Sequence, residues 1–316
     1  MQERIKSIDI TKGILIILVV VGHLPFSFSR IIYFFHMPAF FILSGVFLPQ
    51  GVDFTTRVLW KKIRPLAVTY LTYLLLIGIP FVAFSDNPLE GALKLLLGGR
   101  ALTGPLSPLW FVSALAGGIF LFFILQYFVR NTYLKTGCFI ILYLLAHLES
   151  AYFSPGIKAL FYFPLALDVS LLVAFYLFIG AGMKFVLLKI SSTRKYQVWV
   201  LIPALFLSAL IVLAWLKGIS DYKLDMKYVV YNNVIDDILI CLTFFLAFFS
   251  LSSLLERFLG WLSYPGKASL TIMYLHMTVM LFASHFTENR ILWVIAGILI
   301  PLVFHYFFQK NKLSNL

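Results

Sequence analysis

Charge is what this chain has least of. Only 12% of its residues are Asp, Glu, Lys or Arg, where a soluble domain carries about 25%, so a water-soluble globule is excluded. Cysteine is nearly absent. The two present, Cys138 and Cys241, lie in separate apolar runs at no metal-ligand spacing. That excludes a disulfide scaffold and reads as two buried, inert thiols. Strand-period alternation is also missing, which argues against a membrane barrel. So are low-complexity tracts, composition shifts that would mark a second domain, and repeats of about 20–50 residues. One domain over residues 1–316 is therefore expected. The apolar runs are too many for a secretory signal, and no small-residue cleavage site follows the first.

What fills the chain is hydrocarbon and aromatic surface, 61% of residues being hydrophobic. Apolar runs fall near 13–29, 31–48, 65–85, 106–129, 136–148, 160–183, 197–216, 234–255, 269–286 and 291–308. Most approach the roughly 20 residues that cross a hydrocarbon core as a helix; the run at 136–148 is short enough to be a dip or a tilted partial helix. The expectation is an all-α polytopic membrane protein of about ten transmembrane helices with both termini cytoplasmic. A net charge of +12 could suggest nucleic acid, but its placement does not. With ten spans, the inner segments hold seventeen of the 25 cations, from Arg4 and Lys6 to Lys310 and Lys312. That asymmetry follows the positive-inside rule, and the excess is topological.

Against that background a few polar residues stand out. Lys12 and His23 are eleven residues apart, close to three full turns, so they share one helical face about 16 Å apart along the axis. An imidazole in a span is costly and faces the protein interior or a wet cavity, which makes it a candidate functional residue. The plain alternatives are a His23 bonded to a neighbouring carbonyl and a Lys12 that snorkels to the headgroups. His36, at the head of the second run, precedes Met37-Pro38 and the small pair Ser44-Gly45. The loop FTTRVLWKKIRPLAV groups Arg57, Lys61, Lys62 and Arg64 on the inner side. It is either an ordinary positive-inside loop or a seat for a polyanion such as a nucleotide-based cofactor.

Outer segments add a second group. The stretch 85–107 carries Asp86, Glu90, Lys94 and Arg100 around an apolar piece, Leu93–Leu97, that could be re-entrant or interfacial. Trp110 enters the fourth span, where an aromatic-belt position is the simplest account. Gly117 and Gly118 with Ala114 offer a small-residue packing face. Asp168 interrupts the sixth span near its outer end, facing water or substrate. Asn232, Asn233 and Asp236 open the eighth, suited either to sugar hydroxyls or to capping a helix. Ser269 and His276, seven residues apart, share a face of the ninth, and His276 is a third intramembrane imidazole.

Taken in order, these motifs resemble the acyltransferase-3 family of integral-membrane O-acyltransferases, in particular small members related to sugar O-acetylases. The likeness rests on the basic-x10-His pattern of DITKGILIILVVVGH, on FHMPAFFILSG at 35–45, on K-x-x-R from Lys61 to Arg64, on LWFV at 109–112 and on LTIMYLH at 270–276. Many relatives carry Arg where this chain has Lys12, and Lys keeps the charge without the planar fork. The resemblance implies a bacterial inner-membrane enzyme using cytoplasmic acetyl-CoA or another acyl-CoA, without a metal. Its acceptor would be a hydroxyl on a glycan or lipid-linked sugar, and assembly with further copies of the chain is compatible with it. His23 would be the general base, with His36 and Lys12 beside it in the catalytic group. Lys12, Arg57, Lys61, Lys62 and Arg64 would hold CoA phosphates. Asp168, Trp110, Asn232, Asn233, Asp236, Ser269 and His276 would line the acceptor site, and among them Trp110, Ser269 and His276, with His36 and Ser44, would shape the pocket or orient His23. A secondary transporter or flippase is the rival class, since polar residues in spans also mark substrate pathways. Against it, no Pro- or Gly-broken spans recur at matching positions of two halves.

Overall fold

The computed structural model describes residues 5–26, 28–49, 55–152 and 163–313. Arg4, Phe54 and the first three residues of the run at 160–183 lie outside the described residues. Every regular element among those described is a helix, apart from one isolated bridge between Asp225 and Val230. The chain opens with α1 (Lys6–Gly22), α2 (Ser29–Tyr33) and α3 (His36–Gly45). A longer helix follows, α4 (Thr56–Tyr73), which runs through a π turn at Leu74–Gly78 into α5 (Ile79–Ala83). Then come α6 (Pro88–Leu97), α7 (Leu109–Phe128), α8 (Thr132–Tyr152), α9 (Leu167–Ser192) and α10 (Arg194–Leu216). The last third holds α11 (Val234–Leu254), the short α12 (Glu256–Leu259) and α13 (Ser263–Lys267), then α14 (Ser269–Ser284) and α15 (Arg290–Leu313).

Among the described residues, seven helical stretches are long and apolar enough to cross a membrane: 56–83, 104–128, 132–152, 164–192, 194–216, 234–254 and 290–307. Each matches one of the ten expected runs, including the short one at 136–148, which is a full helix of 21 residues. The other three runs are shorter apolar helices, namely α1, the α2–α3 pair and α14. These three carry His23, His36 and His276. The basic stretch, expected as a loop, is helical. Arg57, Lys61, Lys62 and Arg64 lie on the first turns of α4, started by Thr55, whose Oγ1 accepts a hydrogen bond from Val58 N at 3.4 Å. Leu93–Leu97 is the second half of α6, which Asn87 caps and Pro88 opens.

The chain divides into two compact units. The first comprises Met1–Phe40, Lys184–Lys223 and Ile235–Leu316. Its closest packing is backbone on backbone: a Cβ on Gly13 of α1 would overlap Leu262 O, and one on Gly266 of α13 would overlap Asp9 O. Only glycine at both positions lets the start of α1 meet the 262–266 turn. Aromatic rings pair elsewhere in this unit, Phe35 stacking on Phe244 at 4.5 Å and Phe34 meeting Tyr222 edge-on at 4.7 Å.

The second unit comprises Phe41–Met183 and Leu224–Val234. The same device recurs there: a Cβ on Gly45 would overlap Leu177 O and one on Gly180 would overlap Ile42 O. The Ser44-Gly45 pair therefore ends α3 against the backbone of α9. Gly117 and Gly118 of α7 face Ser170 and Val173 of α9, and Ser170 Oγ donates to Ala114 O at 3.3 Å. Phe139 stacks on Phe178 at 4.4 Å and Tyr143 on Phe175 at 4.3 Å.

Candidate active site

His23 is the residue at which α1 stops. It caps the C-terminus, its backbone N–H donating to Val20 O, and its side chain is exposed. The break in the chain after Gly22 thus lifts the imidazole out of the helix that aims it. Lys12, half-buried, stands on the same helix three turns earlier.

Two further histidines gather on His23 within the first unit. The ring of His276 lies 5.1 Å from that of His23, centre to centre, with 34° between the planes. His36 is within electrostatic reach of His23 as well. Both partners are buried, and both are held by backbone carbonyls, His36 by one of α2 and His276 by two of its own helix. His36 Nδ1 donates to Ile32 O at 2.6 Å, and His276 Nδ1 to Ile272 O and Met273 O, each at 2.9 Å. A carbonyl can only accept, so Nδ1 carries the proton in each ring and Nε2 keeps its lone pair.

Helix packing explains how residues 253 positions apart come together. From the Gly13–Gly266 contact to the imidazole is ten residues along either strand of chain, to His23 in one case and His276 in the other. At 1.5 Å per residue each ring is carried about 15 Å from the glycine contact. Equal reach from a shared contact fits the 5.1 Å separation of the two rings. Ser269 opens α14 two turns before His276, half-buried and on the same face.

The remaining candidates are placed as follows. Asp236, in the first turn of α11, is half-buried, while Asp237, the other carboxylate of the same polar cluster, is fully buried. In the second unit Arg57, Lys61 and Arg64 are exposed, and Lys62 Nζ donates to Phe47 O at 3.3 Å. Asn232 and Asn233 are exposed. Trp110 is only 8% exposed and packs edge-on with Phe111, so it is an interior residue of that unit and not a belt residue. Asp168 faces neither water nor open space. It is buried, ion-paired with Arg100 Nη1, and accepts Val169 N–H at 2.8 Å.

That pair belongs to a cluster the sequence did not reveal. Arg100 Nε donates to Lys227 O at 2.6 Å, and Lys227 Nζ to Leu102 O at 2.9 Å and Ser107 Oγ at 2.6 Å. Asp225 Oδ1 accepts the backbone N–H groups of Lys227 and Tyr228. Burial pushes the Lys227 ammonium down to about 8, Asp225 opposing the shift, and pushes the Asp225 carboxyl above its usual range. Three non-glycine residues with left-handed backbone, Leu165, Ala166 and Val229, border these groups in sequence, marking strain held in place by the surrounding contacts.

Among the described residues, no three of His, Cys, Asp and Glu converge as metal ligands. What converges is a basic ring nitrogen and hydrogen-bonding support, the equipment of proton transfer. The family model described as an acyltransferase domain matches residues 5–308. The chain belongs to the acyltransferase-3 family. It is a membrane acyltransferase, all-helical and polytopic. No curated protein and no solved structure matches this acyltransferase.

Proposed function

We propose that this acyltransferase moves an acyl group, acetyl in the first instance, from cytoplasmic acyl-CoA to a hydroxyl of a cell-surface glycan or lipid-linked sugar in a bacterial inner membrane. His23 acts as the general base. Attack of an alcohol on a thioester needs a group to take the hydroxyl proton, and an exposed imidazole suits that near neutral pH. The observation that carries this reading is the position of His23 at the open end of α1, with the backbone-locked rings of His36 and His276 near it. Donors for the developing oxyanion would complete the chemistry.

The cations support the choice of donor. Arg57, Lys61 and Arg64, exposed on the first turns of α4, present the charge a polyphosphate takes, and Lys12 offers another on α1. Lys62 is partly engaged by Phe47 O, so its truncation should matter less than that of Lys61 or Arg64. Asn232 and Asn233, exposed in the 217–233 connector, could meet sugar hydroxyls.

The test is transfer of label from acetyl-CoA to a hydroxylated acceptor by the purified protein in nanodiscs. His23→Ala should reduce kcat by about 10²–10⁴-fold, the range for losing a general base, with expression unchanged. Activity untouched by that substitution would remove His23 from the role. Acceptor movement across the bilayer without acyl-CoA would point to transport instead.

A further inference from the structure

His276 has one ring nitrogen assigned by its surroundings and the other left over. Its Nδ1–H is divided between two carbonyls of α14, Ile272 O and Met273 O. Its Nε2 is buried and has no hydrogen-bond partner. A lone pair sealed inside a protein without a donor costs stability, and such vacancies call for an explanation. A histidine needed only for packing would be served as well by leucine.

The neighbour on offer is His23. Ring nitrogens stand off the ring centre, so centres 5.1 Å apart with planes tilted by 34° leave one nitrogen of each ring within reach of a hydrogen bond after a modest rotation of the exposed ring. His276 cannot rotate to meet it, because two carbonyls hold its Nδ1. His23, at a helix end and exposed, can.

We propose that His276 is the positioning residue for His23: its Nε2 accepts the N–H of one His23 nitrogen, leaving the lone pair of the other for the acceptor hydroxyl. This rests on the reading of His23 as base. In the reaction, the other nitrogen of His23 takes the hydroxyl proton as oxygen bonds to the thioester carbonyl carbon. The C–S bond then breaks, and the same nitrogen returns the proton to the departing thiolate. The His23 proton facing His276 stays on His23 throughout, as does the proton on His276 Nδ1. His276 thus serves as a neutral acceptor where other acyl-transfer sites place a carboxylate behind the base.

The experiment compares His276→Leu with His276→Gln in the nanodisc assay, alongside His23→Ala. Leucine fills the space and removes the acceptor, whereas glutamine restores an acceptor oxygen. His276→Leu should lower kcat by about 100-fold with KM for acetyl-CoA unchanged, and His276→Gln should recover at least about tenfold of that loss. A structural role predicts the reverse order, and leucine at or above glutamine would overturn the proposal. If His23→Ala is inactive while His276→Leu is not, this inference falls and the base assignment stands. If His23→Ala is active, both fall. Should the Leu variant fail to fold, ring-¹⁵N NMR of the intact protein decides. His276 must appear as the Nδ1–H tautomer and His23 as a single tautomer; an Nε2–H signal at His276 overturns the proposal.

Discussion

A lysine only 9% exposed is the most informative residue outside the histidine group. Lys227 is held by Leu102 O and Ser107 Oγ, and burial lowers its titration point from 10.5 to about 8. Between those two values the unfolded chain binds a proton that the folded chain has released. Stability must therefore rise with pH across that window and be lowest below it. Lys227→Met should flatten the rise, read as apparent Tm in detergent at a series of pH values. The neighbouring Arg100–Asp168 pair makes a sharper demand. Both side chains are almost entirely buried, so Arg100→Leu strands a carboxylate and should cost about 3–5 kcal/mol. Adding Asp168→Leu should return much of that loss, measured as a double-mutant cycle by detergent unfolding.

None of this cluster was legible as a cluster. Asp168 was conspicuous as a carboxylate in an apolar run, but nothing in its spacing named Arg100, 68 residues earlier, or Lys227 as company. His23 and His276 were each conspicuous for the same reason, an imidazole where hydrocarbon is expected. Their meeting depends on a crossing of two helices that no local pattern encodes.

At the scale of the helix, glycine decides how close two axes come. Gly180 and Gly182 sit two residues apart on α9, yet only the first lies against another backbone. A Cβ at 180 would overlap Ile42 O, whereas at 182 it would meet nothing within 4 Å. Gly182→Ala should be neutral or stabilising by about 0.5–1 kcal/mol, since alanine is the better helix former. Gly180→Ala should be destabilising, with lower yield and apparent Tm. Gly13→Ala carries a second consequence, because it would move α1 against the 262–266 turn and so separate the two imidazoles. Transfer should fall further than stability does, a difference visible by assaying folded protein only. The small pair Ser44-Gly45 that closes FFILSG was noticeable in the sequence, and Gly266 was not. That these glycines seat on particular carbonyls was not legible, since the partner backbone lies more than a hundred residues away.

For the molecule as a whole, hydropathy alone carried most of the information. Water-free surroundings force backbone polar groups into helices, so ten apolar runs became helices at the expected places. The runs that came out short carry His23, His36 and His276, and for the first of them the reason is physical. A helix that must present a polar side chain at its end cannot continue as uninterrupted hydrocarbon, and α1 stops at His23. The cation bias predicts an orientation that can be checked directly. With Cys138 and Cys241 replaced, a cysteine at Asn232 should react with an impermeant maleimide on intact cells. One at Arg64 should react only after permeabilisation. The opposite pattern would invert the assignment of the donor side.

The way α1 ends has one more effect. Its peptide dipoles point head to tail over 17 residues, so their negative pole falls at the cap where His23 sits. A proton taken up on that ring during turnover would arrive where the field welcomes positive charge, a gain of about 0.3–1 kcal/mol. Moving the imidazole one turn back into α1 would forfeit that assistance even if every neighbouring side chain followed it.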